Sequence, residues 1–241
     1  MAEDLEHSHE PAAIAARLAD GPRASYLPDA VYGAVDGTVT TFAVVAGALG
    51  ANLSARVVLI LGVANLVADG FSMAAGNFAS TRAAREQVAR LVAQEEKHID
   101  QDPHGETAEI REIYRRKGFH GDALETITRL VTSRRELWID TMLAEEYGAA
   151  TATRSPFHAA LATFLAFVAA GFLPLTPFVF GIADAGGLST ALTGIVFFMI
   201  GSIRSRWSTR SWWATGIETF LIGMGAAAVA YLIGYAIEKV V

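Results

Sequence analysis

The chain has 241 residues, is 52% hydrophobic and only 18% charged, and carries a net charge of −6. Soluble domains have about 25% charged residues, and an acidic chain offers nucleic acid no basic footprint. With no cysteine, disulfides, zinc-thiolate sites and thiol catalysis are excluded.

The charges are also crowded. Residues 81–156 hold 12 of the 19 Lys and Arg and 14 of the 25 Asp and Glu, as in an integral membrane protein with one soluble insertion. In chain order, MAEDLEHSHE (1–10) is polar and is expected to be disordered. His7 and His9 could touch a metal there, but a floppy tail is the plainer reading. PAAIAARLAD (11–20) reads as a short, weakly amphipathic helix at the membrane surface. The first 30 residues contain no apolar signal-peptide core, so the first span is expected to direct insertion.

Five apolar segments approach the roughly 20 residues needed to cross hydrocarbon: about Asp29–Leu53, Ala55–Ser80, Phe157–Ile182, Leu188–Ile203 and Trp213–Ile237. Pro174 and Pro177 should kink or end the third. With the N-terminus in the cytoplasm, that side gathers Arg17, Arg23, the basic residues of the insertion, Arg204, Arg206 and Arg210. Only Arg56 and Lys239 fall on the far side, as the positive-inside rule asks. Trp207, Trp212 and Trp213 then lie at the cytoplasmic interface.

Nothing punctuates Ser80–Ile99, so the second span should continue as a helix into the insertion. Asp102-Pro103 starts another helix to about Lys117. Asp122 and Glu125 fit a capping box for a long third helix ending near Tyr147.

Two sets of polar residues carry chemistry. Within the spans, Asp36 sits in the first, and Asn65, Asp69, Met73 and Asn77 recur every four residues on one face of the second. A membrane carboxylate is costly and normally faces a partner, a cavity or an ion path. Asparagines can also serve helix packing alone. Asp36 and Met73 fall at similar depth, and a carboxylate beside a thioether suits Fe2+ better than Mg2+ or Ca2+. Gly33 and Gly37 form a small-residue pair that serves either packing within the chain or contact between two copies. In the insertion, Glu95 with His98, Glu106 with Glu109, and Met142 with Glu145 are each spaced by three, with Glu146 adjacent. Each pair therefore shares a helix face. Such ligands would accept Fe2+, Mn2+, Co2+ or Zn2+; the plain alternative is solvated surface acids. Glu95-x-x-His98 is half of a di-iron carboxylate motif, but Glu109 is followed at that spacing by Glu112, which disfavours a ferritin-like oxidase.

DGTVTTFAVVAGALGANLS, ADGFSMAAGNFAS and GFLPLTPF, in that order around a Glu-rich insertion, resemble the vacuolar iron transporter family over residues 27–240. The resemblance implies five spans, a homodimer with the path at the subunit interface, and Fe2+ export from the cytoplasm in exchange for protons. Asp36 and Met73 match its intramembrane path. Glu95, Glu106, Glu109, Met142 and Glu145 match its metal-binding positions. His98 stands where the family has Glu, Thr141 where it can have a second Met, and Asn65 replaces an acid one turn from Asp69.

The expected protein is thus an all-α membrane protein. It has a cytoplasmic tail (1–26), spans one and two (27–80), a three-helix cytoplasmic metal-binding domain (81–156) and spans three to five (157–241). The expected function is transport of Fe2+, with Mn2+ second, by a non-enzyme. The candidate ligands are Asp36, Asp69, Met73, Glu95, His98, Glu106, Glu109, Met142, Glu145 and Glu146. A bacterial plasma membrane and a vacuolar membrane both fit. The competing readings are a membrane-anchored di-iron oxidase and a metal sensor or storage module.

Overall fold

The structure, a computed structural model, describes residues 8–19, 24–149 and 154–240; His7 lies outside them. All regular elements among these residues are helical. α1 (Pro11–Ala19) begins on a proline and buries none of its residues. α2 (Leu27–Gly50) has Pro28 in its first turn, where the missing N–H is not needed. It ends before Asn52, whose φ of 53° is a left-handed conformation that asparagine tolerates.

α3 (Ala55–Gln101) runs for 47 residues without interruption. At 1.5 Å per residue that is about 70 Å, more than twice a hydrocarbon core of roughly 30 Å. The expected continuation of the second span is therefore present. Asp102 stops it and caps α4 (Pro103–Arg116), accepting from the Gly105 N–H at 3.0 Å.

The expected long third helix is two helices, α5 (Gly121–Thr132) and α6 (Arg135–Glu145). Near the break, Thr128, Thr132 and Ser133 return hydroxyl hydrogen bonds to the carbonyls of Leu124, Thr128 and Leu130 at 2.8, 3.0 and 2.8 Å. Such bonds compete with the regular ladder. Nor does Asp122 cap: His120 holds the cap position without a side-chain bond. Glu125 instead meets Arg111 in a paired contact, both bonds 2.9 Å.

Ser155 precedes α7 (Pro156–Phe172), and the expected proline break follows as a 3-10 turn (Leu173–Leu175) and the short α8 (Thr176–Val179). α9 (Ala185–Arg204) starts earlier than its apolar run because Asp184 caps it, accepting from Gly187 N–H at 3.0 Å. A 3-10 turn (Ser205–Trp207) leads to α10 (Trp212–Glu238). Among the described residues, five helices or helix pairs are long and apolar enough to cross a membrane, so the chain is a multi-pass membrane protein.

The chain divides into two compact units, Met1–Ser25 with Arg82–Arg154, and Tyr26–Thr81 with Ser155–Val241. In the second unit α2 is the centre: half of its most apolar stretch is buried, against 11% for α10. Small residues permit this. A Cβ on Gly33 or Gly37 would strike the backbone of α7 at Thr163 or Phe167, and one on Gly50 or Gly234 would strike the facing backbone between α2 and α10. The Gly33 and Gly37 pair thereby serves packing within the chain. Phe42, Val45, Val58, Leu175 and Phe178 fill the core beside them. The first unit closes on Ile99 of α3, Ile110 of α4, Val131 of α5, and Trp138, Ile139, Met142 and Leu143 of α6.

Candidate metal centre

The last turns of α3 and the first turn of α4 meet at three ligand-type side chains. His98 Nδ1 lies 3.7 Å from Glu95 Oε1 and 3.5 Å from Glu106 Oε1, and one ligand atom from each of the three falls within 4.8 Å of the others. The helical spacing puts Glu95 and His98 on one face. The sharp Asp102-Pro103 corner brings Glu106 back to them. Glu95 is fully buried and Glu106 is 6% exposed.

Their oxygens are unevenly satisfied. Glu95 Oε1 accepts from the Tyr147 hydroxyl at 2.9 Å, and Gln94 Nε2 donates to that hydroxyl at 3.1 Å. Glu95 Oε2 and Glu106 Oε2 are buried with no hydrogen-bond partner. Buried polar atoms are nearly always paired, and an unpaired buried charge is costly. A divalent cation would relieve both oxygens together, with His98 adding an imidazole nitrogen.

The electrostatics agree. Burial pushes the Glu106 carboxyl up to about 7, helped by the neighbouring charges of Glu109 and Glu95 and opposed by His98. Burial and then the Glu109 charge raise Glu146. Burial and the bond to Glu95 push the Tyr147 phenol up, so it stays a donor at neutral pH. Acids that serve only the surface look different. Glu112 is paired with Arg115 and Arg116, and Glu125 with Arg111, which lowers both carboxyls.

Of the other residues read from sequence, Glu109 and Glu146 are exposed but close enough to act on the trio. They line a cavity of about 630 Å³ with Glu112, Arg116, Lys117 and Glu145. Glu145 is drawn away, into an ion pair with Lys117. Met142 is fully buried in the apolar core of this unit.

In the second unit, Asp36, Asp69, Met73 and Asn65 are all half-buried. The Asp69 carboxylate lies close enough to act on Asp36. Asn65 Nδ2 is buried and unpaired. Asn77 has a packing role: its amide nitrogen donates to Asp29 Oδ1 at 2.9 Å, Thr163 Oγ1 at 2.7 Å and the Ala159 carbonyl at 3.3 Å. Glu218 pairs with Arg204 at 3.3 Å and with Arg210 at 2.5 Å.

Sequence reading missed Tyr147 and Asp29. A tyrosine directly after Glu146 gives no periodic signal. Asp29 looked like the polar edge of a span, yet it is 8% exposed.

Fold and site together define a multi-pass helical membrane protein bearing two buried carboxylates beside a partly exposed imidazole, outside its apolar spans. The match to the VIT family over residues 27–235 places it further: the chain belongs to that family. Similar proteins include vacuolar iron transporter 1 of Tulipa gesneriana, 28% identical over 88% of this chain and 87% of the relative. The vacuolar iron transporter of Toxoplasma gondii is 31% identical over 90% and 76%, and vacuolar iron transporter 1 of Arabidopsis thaliana 27% over 87% and 85%.

Proposed function

We propose that this protein exports Fe2+, with Mn2+ as second cargo, from the cytoplasm in exchange for protons. Family membership makes it a metal-ion transporter and not an enzyme. The observation that carries the metal reading is the pair of orphaned buried oxygens on Glu95 and Glu106 beside His98. Oxygen and imidazole ligands suit first-row divalent ions.

In this reading Glu95, His98 and Glu106 collect the ion, with Glu109 and Glu146 at the rim. The apolar setting of Met142 gives its sulfur a weaker claim, and the Lys117 pair weakens that of Glu145. Asp36 and Met73 receive the ion within the spans. Asp36 or Asp69 takes up a proton as metal leaves, because the two compete for the same carboxylate. The crowding of basic residues in 81–156 supports a cytoplasmic 1–26 and 81–156, with spans in 27–80 and 157–241. A homodimer is part of the proposal: the half-buried Asn65, Asp69 and Met73 border an apolar face of α3, with Val63, Val67 and Phe71 exposed, that a second copy would cover.

The test is metal flux into proteoliposomes with internal pH recorded, across Fe2+, Mn2+, Co2+ and Zn2+. Metal movement with counter-flow of protons is the expected result. Binding without movement would leave only a sensor or storage module.

A further inference from the structure

Tyr147 stands just beyond the last turn of α6 and reaches back to α3. Gly148, which follows it, takes a left-handed φ of 62°, and the Ala149 N–H returns to the Leu143 carbonyl at 2.9 Å. That sharp turn, open to a glycine, fixes where the tyrosine leaves the helix. Its ring packs against the apolar core that α3, α4 and α6 share. The hydroxyl is used twice: it accepts from Gln94 Nε2 at 3.1 Å and donates to Glu95 Oε1 at 2.9 Å. A phenol has one proton, and the Gln94 amide, by taking a lone pair, leaves that proton for Glu95. Burial, then Glu95 and Glu146, keep the phenol protonated.

A phenylalanine would fill the same space against the core. What the hydroxyl adds is a division of the Glu95 carboxylate into two unlike oxygens. Oε1 has a donor, whereas Oε2 is buried without one. A partner serving only to settle a buried carboxylate leaves that second oxygen unexplained, since buried polar atoms are nearly always met. A cation gripping both Glu95 oxygens would have to share Oε1 with the phenol proton. A cation taking one oxygen meets no such competition.

Cations differ in that demand. Ca2+ gathers roughly six to eight oxygen ligands and often grips a carboxylate by both oxygens. Zn2+ takes fewer ligands, commonly one atom from each side chain at about 2.0–2.2 Å. His98, 3.5 Å from Glu106 Oε1, adds a nitrogen that suits first-row ions and not Ca2+.

We propose that Tyr147 is a positioning residue that selects the ion: by holding Glu95 Oε1, with Gln94 behind it, it keeps this carboxylate a one-oxygen ligand and so favours first-row cations over Ca2+ at the Glu95–His98–Glu106 cluster. This rests on the metal-binding reading above and adds to it the residue that sets the preference. Neither Tyr147 nor Gln94 touches the ion.

Tyr147→Phe decides the matter, because it keeps the ring and removes the one donor. Calorimetric titration of the full chain in detergent, with Zn2+ as a redox-inert first-row probe and with Ca2+, measures the preference. Binding that persists in the double variant Glu95→Gln with Glu106→Gln belongs to other sites and is subtracted. In Tyr147→Phe the Zn2+ affinity of the cluster should fall about tenfold, the lower range for losing an outer partner of a metal ligand, while the Ca2+ affinity holds or rises. A hydroxyl that only props the fold would weaken both ions alike. That result, or an unchanged preference, overturns the proposal and leaves the metal site standing. Gln94→Leu leaves the phenol in place but frees its proton to turn away. It should shift the preference the same way to a smaller degree, and it carries the test should Tyr147→Phe not fold. An unaltered protein that binds no more Zn2+ than the double variant overturns the metal reading of the cluster, and this inference with it.

Discussion

The acidic cluster of α3 and α4 and the acidic face of α2 and α3 hold the same kinds of ligand in opposite settings. At the cluster, Glu95 and Glu106 are buried deep enough to leave two oxygens without donors. Along the spans, Asp36, Asp69 and Met73 are half-buried at the margin of one chain. A completed pocket favours capture, since ligands are fixed before the ion arrives. An open margin favours passage, since an ion must leave as readily as it binds. In the function proposed above, that difference in burial is what separates holding a metal from moving one.

Separating the two roles by mutation breaks or sharpens that contrast. The largest effect is expected from Asp36→Ala: proteoliposome flux should fall to background while calorimetric metal binding at the cluster is unchanged. Substantial flux in a folded Asp36→Ala protein would remove the spans from the path. Next comes the double change Glu95→Gln with Glu106→Gln. Cluster affinity should drop by more than about 100-fold, since losing even an outer partner of a metal ligand costs about 10–100-fold, while some flux persists at high metal.

A smaller effect is expected from pH. Metal competes with a proton for Glu106, whose carboxyl is held up to about 7. Metal affinity at the cluster should therefore rise as pH climbs through about 7 and level off above it. Metal-free stability should run the other way. Between about 4.5, the ordinary glutamate value, and about 7 the folded state binds more protons than the unfolded state, so stability falls as pH rises across that window. Thermal melting at pH 5.5 and 8, with and without Mn2+, checks both signs, and Glu106→Gln should flatten both. The smallest effect belongs to Glu145→Ala. It breaks the partly exposed pair with Lys117, worth up to about 1 kcal/mol, and should change metal affinity by less than about twofold. Glu146→Ala, at the rim, should do more. Equal effects would return Glu145 to the ligand set.

Much of this was legible in the residues. The five spans, the proline break after Phe172 and the passage of α3 beyond the hydrocarbon follow from apolar length and local punctuation. Glu95 and His98 share a face because three residues nearly complete a helical turn. Spacing could not say which acids on different helices meet. Glu109, Glu145 and Glu146 look alike in sequence, yet one has a lysine partner and two border the cluster. The Gly33 and Gly37 pair announced close approach without naming the partner, which is the backbone of α7.

Sequence alone determined that the chain crosses a membrane, where its charge is gathered and which side chains have metal-binding chemistry, because these depend on composition and on periodicity within one helix. Tertiary structure decided which carboxylates lose their water and their partners, ended the long helix at Thr132, and set Tyr147 against Glu95. Those outcomes depend on contacts between residues far apart in the chain, where burial sets Glu95 and Glu106 apart from the solvated acids beside them.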